Sequence, residues 1–235
     1  MKLNGKFITA STGLNIRFTR SCVSTFDEIE DFDVIVALRQ KNGVGRGEHT
    51  FASPPGGLYI VLRLIGRYDA HTLTPSVGIA VHDTVAEILG LDTELKWVND
   101  VFYKGKKAVG ILCKCPRKDE YLVGIGINYA TKQSALDNAG LNGIATTLGA
   151  PEEKASEFVA ALLNRIYDPA LCAFDSEKYS SLCMNIGKTV EFTHNGAKLT
   201  GLAERVNEKG SLVVCVGEET VAVDAGEVVI LKTEA

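Results

Sequence analysis

The pattern of apolar residues changes near residue 187, and no other feature constrains the fold of this chain more strongly. From there to the end, short alternating segments are separated by turn sequences such as HNG at 194–196 and NEKG at 207–210. Alternation with a period of two, interrupted by closely spaced turns, is typical of a small all-β barrel. The sequence therefore predicts two domains, residues 1–184 and residues 185–235.

The first domain mixes two kinds of apolar pattern. Apolar residues recur at helical spacing over 75–89, where Thr74 is the expected N-cap and Pro75 the first helical residue. A second helix is predicted over 151–166. Short segments rich in β-branched and aromatic residues are predicted as strands: 34–38, 57–64, 95–103, 106–114 and 121–128. The expected fold is α+β, a mixed sheet with helices on one face, followed by the small barrel.

Composition narrows the class of protein. The chain is 46% hydrophobic and 23% charged, with a formal net charge of −4, which is ordinary for a globular protein with a sizeable core. No long basic run supports a nucleic-acid partner. The N-terminus lacks a signal-peptide pattern and no stretch reaches roughly 18 apolar residues, so a cytoplasmic protein without membrane contact is expected. Six cysteines without a CxxC pair predict free thiols and no metal site.

A glycine-rich loop separates the first two predicted strands. Gly43, Gly45 and Gly47 alternate within a short stretch, and Arg46 stands among them. Glycine lets the backbone approach a ligand closely, and the planar guanidinium of arginine suits phosphate and carboxylate oxygens. By itself, this segment is also compatible with a simple turn.

A second segment, KWVND, gathers a cation, an amide and a carboxylate at the end of a predicted strand. Strand alternation would place Lys96, Val98 and Asp100 on one face, opposite Trp97 and Asn99. A core strand does not normally carry such polar groups unless they are paired, which favours a functional site. The alternative is a strand end that enters a turn, with Asn99 and Asp100 as turn formers.

Three glycines interrupt two otherwise apolar strands. Gly110 follows Lys107 on one strand, and Gly124 and Gly126 lie on the next. Glycine inside a strand indicates that something packs against bare backbone, either a flat ligand lying on the sheet or a closely packed helix. Lys107 could reach along its strand and neutralise a phosphate or a carboxylate.

Taken in order, five segments resemble the motifs of biotin–protein ligases: GVGRGEH, FASPPGGLY, KWVND, KAVGIL and GIGIN. The C-terminal stretch is similar to the SH3-like barrel of that family, and the resemblance extends over about residues 18–232. It implies a biotin–lipoate ligase fold, which is like that of class II tRNA synthetases. It also implies that ATP and biotin form biotinyl-5′-AMP in the presence of Mg²⁺. Biotin would then pass to a lysine of a biotin carboxyl carrier protein or carboxylase carrier domain.

The resemblance also implies a role for each matching residue. Arg46, Lys107 and Asp100 would be catalytic, with Lys107 stabilising the transition state beside the α-phosphate. Phe51 would stack on adenine, whereas Trp97 would be a packing residue. The residues expected to contact biotin are Ser24, Thr25, Gln40, Gly43, Arg46, Lys107, Gly110, Ile111, Leu112 and Gly124. The residues expected to contact ATP are Gly45, Arg46, Phe51, Asn99, Lys107 and Asn128.

The chain departs from the family pattern at several positions. Val44 stands where the family has arginine, and Glu48 and His49 replace a Gly-Arg pair. The loop therefore loses positive charge, and it should either hold AMP more weakly or order differently. Phe26 stands where the family has asparagine, and Val98 replaces a proline, which should make the end of the predicted strand less rigid.

Other functions stay open at this point. They are a lipoyl or octanoyl transferase of the same fold, a non-catalytic biotin- or nucleotide-binding module, and an interaction domain with a vestigial core. No helix-turn-helix precedes the first motif, so a ligase without a DNA-binding domain and without a DNA partner is expected. A homodimer could form by edge-strand pairing, for example through residues 106–114.

Overall fold

The computed structural model describes residues 1–47, 49–224 and 226–231. Seven strands form the first sheet: β1 (Ile16–Thr19), β2 (Val34–Ala37), β3 (Leu58–Ile65), β4 (Glu94–Lys96), β5 (Asp100–Tyr103), β6 (Lys106–Arg117) and β7 (Glu120–Ile127). Their order is β1-β2-β3-β7-β6-β5-β4. Only the β1–β2 pair is parallel among these strands, so the sheet is mixed, as predicted.

The helices pack on one face of this sheet, which confirms the predicted α+β fold. They are α1 (Gly5–Thr12), α2 (Ala70–Thr84), α3 (Gln133–Leu136), α4 (Ala155–Tyr167) and α5 (Ser176–Leu182). Leu58, Ile60 and Leu62 of β3 share one buried cluster with Val77 of α2 and Leu162 of α4. None of the helices in the described residues combines the length and the apolar character needed to cross a membrane.

The alternate face of the sheet has its own, smaller apolar clusters. Tyr59 of β3 packs with Cys22 and Ala37, and Val61 packs with Ile29 and others. This face carries the candidate site, because the strand alternation that sends one set of side chains to the helices sends the other set here.

The predicted start of α2 is wrong. The helix begins at Ala70, with the Asp69 carboxylate accepting a hydrogen bond from the His71 amide, and Pro75 lies inside it. An aspartate cap satisfies the free amides of the first turn, and this outweighed the preference of proline for the first helical position. A π-helical turn over Val85–Leu89 extends the helix, and Gly90 ends it in the left-handed conformation, where the end was expected.

The single strand predicted over 95–103 is also wrong. It is two antiparallel strands, β4 and β5, joined by a turn, so that Lys96 pairs directly with Asp100. The predicted faces of this segment therefore do not apply. The tight hairpin at Lys104 and Gly105 is present, with φ of 51° and 71° at these residues.

Strand β6 lies between β5 and β7 in the sheet. β5 covers one side of residues 106–110. On the other side Lys107 bonds to Ile144 and Thr146, Ala108 bonds to Asn128, and Val109 and Gly110 pair with β7. The prediction of an edge strand over 106–114 is therefore wrong for residues 106–110, which β5 covers. Residues 112–114 pair with β7 alone among the described strands, so a homodimer formed through them stays a prediction.

The C-terminal part is a five-stranded antiparallel sheet, as the turn-rich pattern predicted. Its strands are β8 (Thr189–His194), β9 (Ala197–Val206), β10 (Leu212–Val216), β11 (Glu219–Val223) and β12 (Val228–Ile230), in the order β11-β10-β9-β8-β12. Phe192, Ala203 and Val214 belong to the same buried cluster as the core of the first sheet. The two sheets therefore share a continuous apolar contact.

Candidate functional site

A pocket opens on the sheet face opposite the helices. Its floor consists of β6 and β7, where Gly110 faces Gly126 and Leu112 faces Gly124 across the strand pair. A side chain at these glycine positions would collide with aromatic rings. A Cβ at Gly126 would lie 2.4 Å from the ring of Phe51, and one at Gly124 would lie 2.6 Å from the ring of Phe26. Aromatic rings therefore cover the bare backbone at these glycines. The alternative prediction, a helix packed closely against these strands, is wrong.

Lys107 and Asp100 form an ion pair beside this floor. Lys107 Nζ lies 2.6 Å from Asp100 Oδ1, and both side chains are largely buried, with 28% and 19% of their surface exposed. The register between β5 and β6 shifts after Val101, so Lys107 pairs with Phe102 while Asp100 pairs with Gly110. Lys107 Nζ also lies 5.7 Å from the centre of the Phe51 ring. A partly buried lysine needs an anionic partner, which either this carboxylate or a bound anionic ligand can supply.

The turn between β4 and β5 is fixed by hydrogen bonds to distant parts of the chain. The Trp97 amide donates to Asn185 Oδ1 and its indole N–H donates to the Gly210 carbonyl, each at 2.9 Å. The Asn99 carbonyl accepts from the Ile111 amide at 2.8 Å. Trp97 is only 4% exposed, so it packs between the two sheets, as the sequence suggested.

A polar wall stands at the other side of the pocket. Gln40 Oε1 accepts hydrogen bonds from the amide and the hydroxyl of Thr25, at 2.8 and 2.9 Å. Gln40 Nε2 donates to Ser53 Oγ at 3.0 Å. The Ser24 hydroxyl instead accepts from the Phe26 amide and caps a short 3-10 turn. These mutual bonds fix the orientation of the Gln40 amide.

The glycine-rich loop lines the pocket through Val44, Gly45 and Arg46. Its internal bonds run from the Gly45 amide to the His49 carbonyl and from the Phe51 amide to the Gly43 carbonyl. Arg46 Nη1 donates to the carbonyl of Gly226 at 2.9 Å, which ties the loop to the segment before β12. The predicted effect of Glu48 cannot be placed, because this residue lies outside the described residues.

The pocket brings most of the predicted site residues together. It is lined by Thr25, Gln40, Gly45, Arg46, Phe51, Asn99, Lys107, Gly110, Ile111, Leu112 and Gly124, among others. Asp100 lines an adjoining groove between the two sheets. Ser24, Gly43 and Asn128 line neither cavity in the part of the chain that is described. Gly43 is instead packed against the Phe51 carbonyl, which a Cβ there would approach to 2.2 Å.

Asn128 lies directly after β7, behind the floor. Its Nδ2 donates to the Thr146 carbonyl at 3.0 Å, while its buried Oδ1 has no partner among the described residues. A buried amide oxygen without a donor is costly, and it favours a donor supplied by a ligand or by water.

Sequence reasoning missed two parts of the site. Tyr59 lines the pocket beside Phe51, and Gly226 and Glu227 line the groove. The last two had no sequence signal, because Arg46 and Gly226 are 180 residues apart.

The cysteines do not supply a nucleophile to this site. Cys22 lies next to it, in a bridge with Gln40, and burial raises its pKa to about 11. Burial likewise raises the pKa of Cys113 and Cys183 to about 11. These thiols stay protonated near neutral pH and are weak nucleophiles. The described residues hold no group of three or more histidine, cysteine or acidic side chains that could bind a metal.

Comparison with known proteins identifies the fold. Residues 16–128 match the model of the biotin/lipoate A/B protein ligase family. The chain is similar to this family over that range, which is just under half of its length. The matched range contains the glycine loop, the Lys107–Asp100 pair and the glycine floor.

Members of the family resemble the chain well beyond that range. The biotin–[acetyl-CoA-carboxylase] ligase of Mycobacterium tuberculosis is 29% identical over 220 residues, which is 86% of this chain and 81% of that protein. The bifunctional ligase/repressor BirA of Bacillus subtilis is 32% identical over 123 residues, 49% of this chain and 38% of that protein. The structure of biotin protein ligase from Aquifex aeolicus, in complex with biotin and ATP, superposes with a TM-score of 0.78 at 26% identity. It covers 93% of this chain and 99% of that one.

Proposed function

We propose that this protein is a biotin–protein ligase. The observation that carries the proposal is the convergence, in one pocket, of the Lys107 ammonium, the glycine floor and the Thr25–Gln40 wall. The relatives named as biotin ligases, and the Aquifex aeolicus enzyme with biotin and ATP, support the same assignment. In the first step, a carboxylate oxygen of biotin attacks the α-phosphorus of ATP and pyrophosphate leaves. In the second, the amine of an acceptor lysine attacks the carbonyl of biotinyl-AMP and AMP leaves.

The polar wall suits the head group of biotin. The ureido ring offers two N–H donors and one carbonyl acceptor, and it carries no charge. Thr25 and Gln40 present a hydroxyl and an amide whose directions are already fixed by their mutual bonds. Such preset polar groups in an otherwise apolar pocket provide specificity. They favour biotin over the acids used by lipoyl and octanoyl transferases, because those lack the ureido group.

Lys107 would act in the chemical step. In the proposed mechanism its ammonium leaves Asp100 and lies between the biotin carboxylate and the α-phosphate, where it offsets the charge that builds up in the transition state. Asp100 then remains beside the reacting atoms and can receive the ammonium of the acceptor lysine. Arg46 would add a second positive charge from the glycine loop.

The nucleotide would lie over Phe51, within reach of Asn99. The predicted contact between Asn128 and ATP would require its buried side chain, which lines neither cavity, to become accessible; its unpaired Oδ1 could then accept a hydrogen bond from the adenine amine. Gly45 would let the loop backbone approach the phosphates. Mg²⁺ would arrive as part of the Mg·ATP substrate, held mainly by phosphate oxygens and water, as is usual for this ion.

The acceptor is proposed to be the biotin carrier domain of a carboxylase, as the name of the Mycobacterium tuberculosis relative indicates for that protein. Residues 1–184 would form the catalytic domain and residues 185–235 the SH3-like domain. The described cysteines are all free, which fits a reducing compartment such as the cytoplasm. A homodimer stays a prediction.

Biotin-dependent exchange of labelled pyrophosphate into ATP tests the proposal. Exchange with biotin, but not with lipoate or octanoate, is expected in the presence of Mg²⁺. Biotin binding by calorimetry without exchange would instead support the non-catalytic binding module. Transfer is then tested with a purified carrier domain, by the mass added to its lysine.

A further inference from the structure

Phe26 closes one end of the pocket floor. On the site face, β6 and β7 form successive cross-strand pairs: Gly110 with Gly126, Leu112 with Gly124, then Lys114 with Leu122. Such pairs follow each other at about 7 Å along a sheet face. The Phe51 ring covers the first pair, and the edge of the Phe26 ring lies against Gly124 of the second. The bare backbone therefore ends where Phe26 stands.

Two sets of contacts hold the Phe26 ring in place. Lys114 Nζ lies 4.4 Å from the centre of the ring, in the geometry of a cation–π contact. The ring also packs against the cluster of Ile29, Ile35 and Val61. Contacts from both the third pair and this cluster hold the ring in place, so a ligand cannot displace it without breaking them.

The position of Phe26 also relates it to the polar wall. It directly follows Thr25, and both residues line the pocket. A ligand head group whose polar atoms bond to Thr25 and Gln40 would therefore contact the Phe26 ring. The asparagine that the resembling family has at this position is smaller and polar, and it would not form such an apolar stop.

We propose that Phe26 is a specificity-determining residue that limits the size of the acid head group accepted by this protein. The inference rests on the proposed biotin ligase function. Phe26 does not take part in the chemical step. It excludes acids whose head group extends beyond the second cross-strand pair.

The test compares biotin with two enlarged analogues in the pyrophosphate-exchange assay. Biotin sulfone adds two oxygens at the sulfur, and N-methyl biotin adds a methyl group at the ureido ring, so the probes extend the head at both ends. In Phe26→Ala, the kcat/KM of at least one analogue relative to biotin should rise about tenfold or more, the scale on which a pocket discriminates one added group. Unchanged ratios for both analogues would overturn the inference.

Phe32→Ala is the matched control. Phe32 packs against the same cluster as Phe26 but does not line the pocket. Its removal should weaken the cluster in a similar way and leave the analogue ratios unchanged. If Phe32→Ala raises the ratios as much as Phe26→Ala does, the effect is general loosening and the inference is wrong.

Two further variants keep the test decisive. Phe26→Leu retains an apolar side chain and should raise the ratios by a smaller factor, even if Phe26→Ala does not fold. Phe26→Trp should lower kcat/KM for biotin itself. Exchange by the unmodified protein separates the two proposals: its absence with biotin refutes the ligase function. Its presence, together with unchanged ratios in the Phe26 variants, refutes only the role of Phe26.

Discussion

The two segments that bring charge to the pocket are held in different ways. The turn that precedes Asp100 is tied down by both polar groups of Trp97 and by Asn99, which bond to the C-terminal part and to β6. The glycine loop bonds mainly to itself, and among its described residues Arg46 supplies the one side-chain bond to the C-terminal part. Rearranging the turn would break several buried contacts, whereas rearranging the loop would break few.

This difference indicates that the turn and the loop have different roles. Reacting groups need fixed geometry, so the Lys107–Asp100 pair lies on strands beside the anchored turn. A segment that must admit a nucleotide and release an adenylate benefits from a low cost of opening. We therefore expect mutations near the turn to change both stability and chemistry, and mutations in the loop to change mainly ligand handling.

The largest effect is expected from Lys107→Ala. Removing a preorganised charge from a transition state typically costs about 10²–10³-fold in rate, so pyrophosphate exchange should fall by this factor. Circular dichroism should show a normal fold, since the side chain lies at the pocket rather than in the core. Lys106→Ala is the matched control, because its side chain lines neither cavity. Full activity in a folded Lys107→Ala protein would remove this lysine from the mechanism.

Arg46→Ala tests the loop side of the comparison. Exchange should fall by about 10–10²-fold, somewhat less than for Lys107, because Arg46 acts from a segment that can rearrange. The free energy of unfolding should change by less than about 0.5 kcal/mol, as is usual for an exposed side chain. Urea titration measures the second quantity. A large loss of stability would show that the bond to Gly226 anchors the loop more firmly than the structure indicates.

Much of the fold followed from sequence because burial imposes a simple periodicity. Strands such as Val34–Ala37 and Leu58–Ile65 are composed of residues that local pattern alone identifies. Helix α1 gave no such signal, since Ile8 is its one buried residue. The spacing of apolar residues does not predict a helix or strand in which few residues are buried.

The candidate site was predictable only where its residues lie within short motifs. The shape of the turn before Asp100 depends on Asn185 and Gly210, which lie 88 and 113 residues from Trp97 in the chain. The sequence pattern predicted one continuous strand through that turn, because contacts with such distant residues leave no signal in the local sequence. The position of Phe26 on Gly124 was missed for the same reason.

Trp97→Phe tests whether the anchor of the turn matters to the site. The buried carbonyl of Gly210 would lose its donor, which should lower the free energy of unfolding by about 1–3 kcal/mol. The exchange rate should fall less than tenfold, because the amide of Trp97 still holds the turn. Ser211→Ala is the control, since it removes a bond to Asp224 in the same hairpin without touching the turn. Equal losses of activity in both variants would argue against a specific coupling through the indole.

The smallest effect is expected from Val44→Arg, which restores one charge to the loop. Val44 is 36% exposed and lines the pocket. Solvent would therefore partly screen the attraction between a new guanidinium there and the phosphate. Exposed charge pairs contribute about 0.2–1 kcal/mol, so release of biotinyl-AMP should slow by a few-fold at most. Higher salt should reduce the effect, because screening weakens such pairs. Val23→Arg adds the same charge at an exposed valine outside the pocket lining and should leave release unchanged. If release from Val44→Arg is also unchanged, the loop handles the adenylate through its backbone and Arg46, and its missing charge has no consequence.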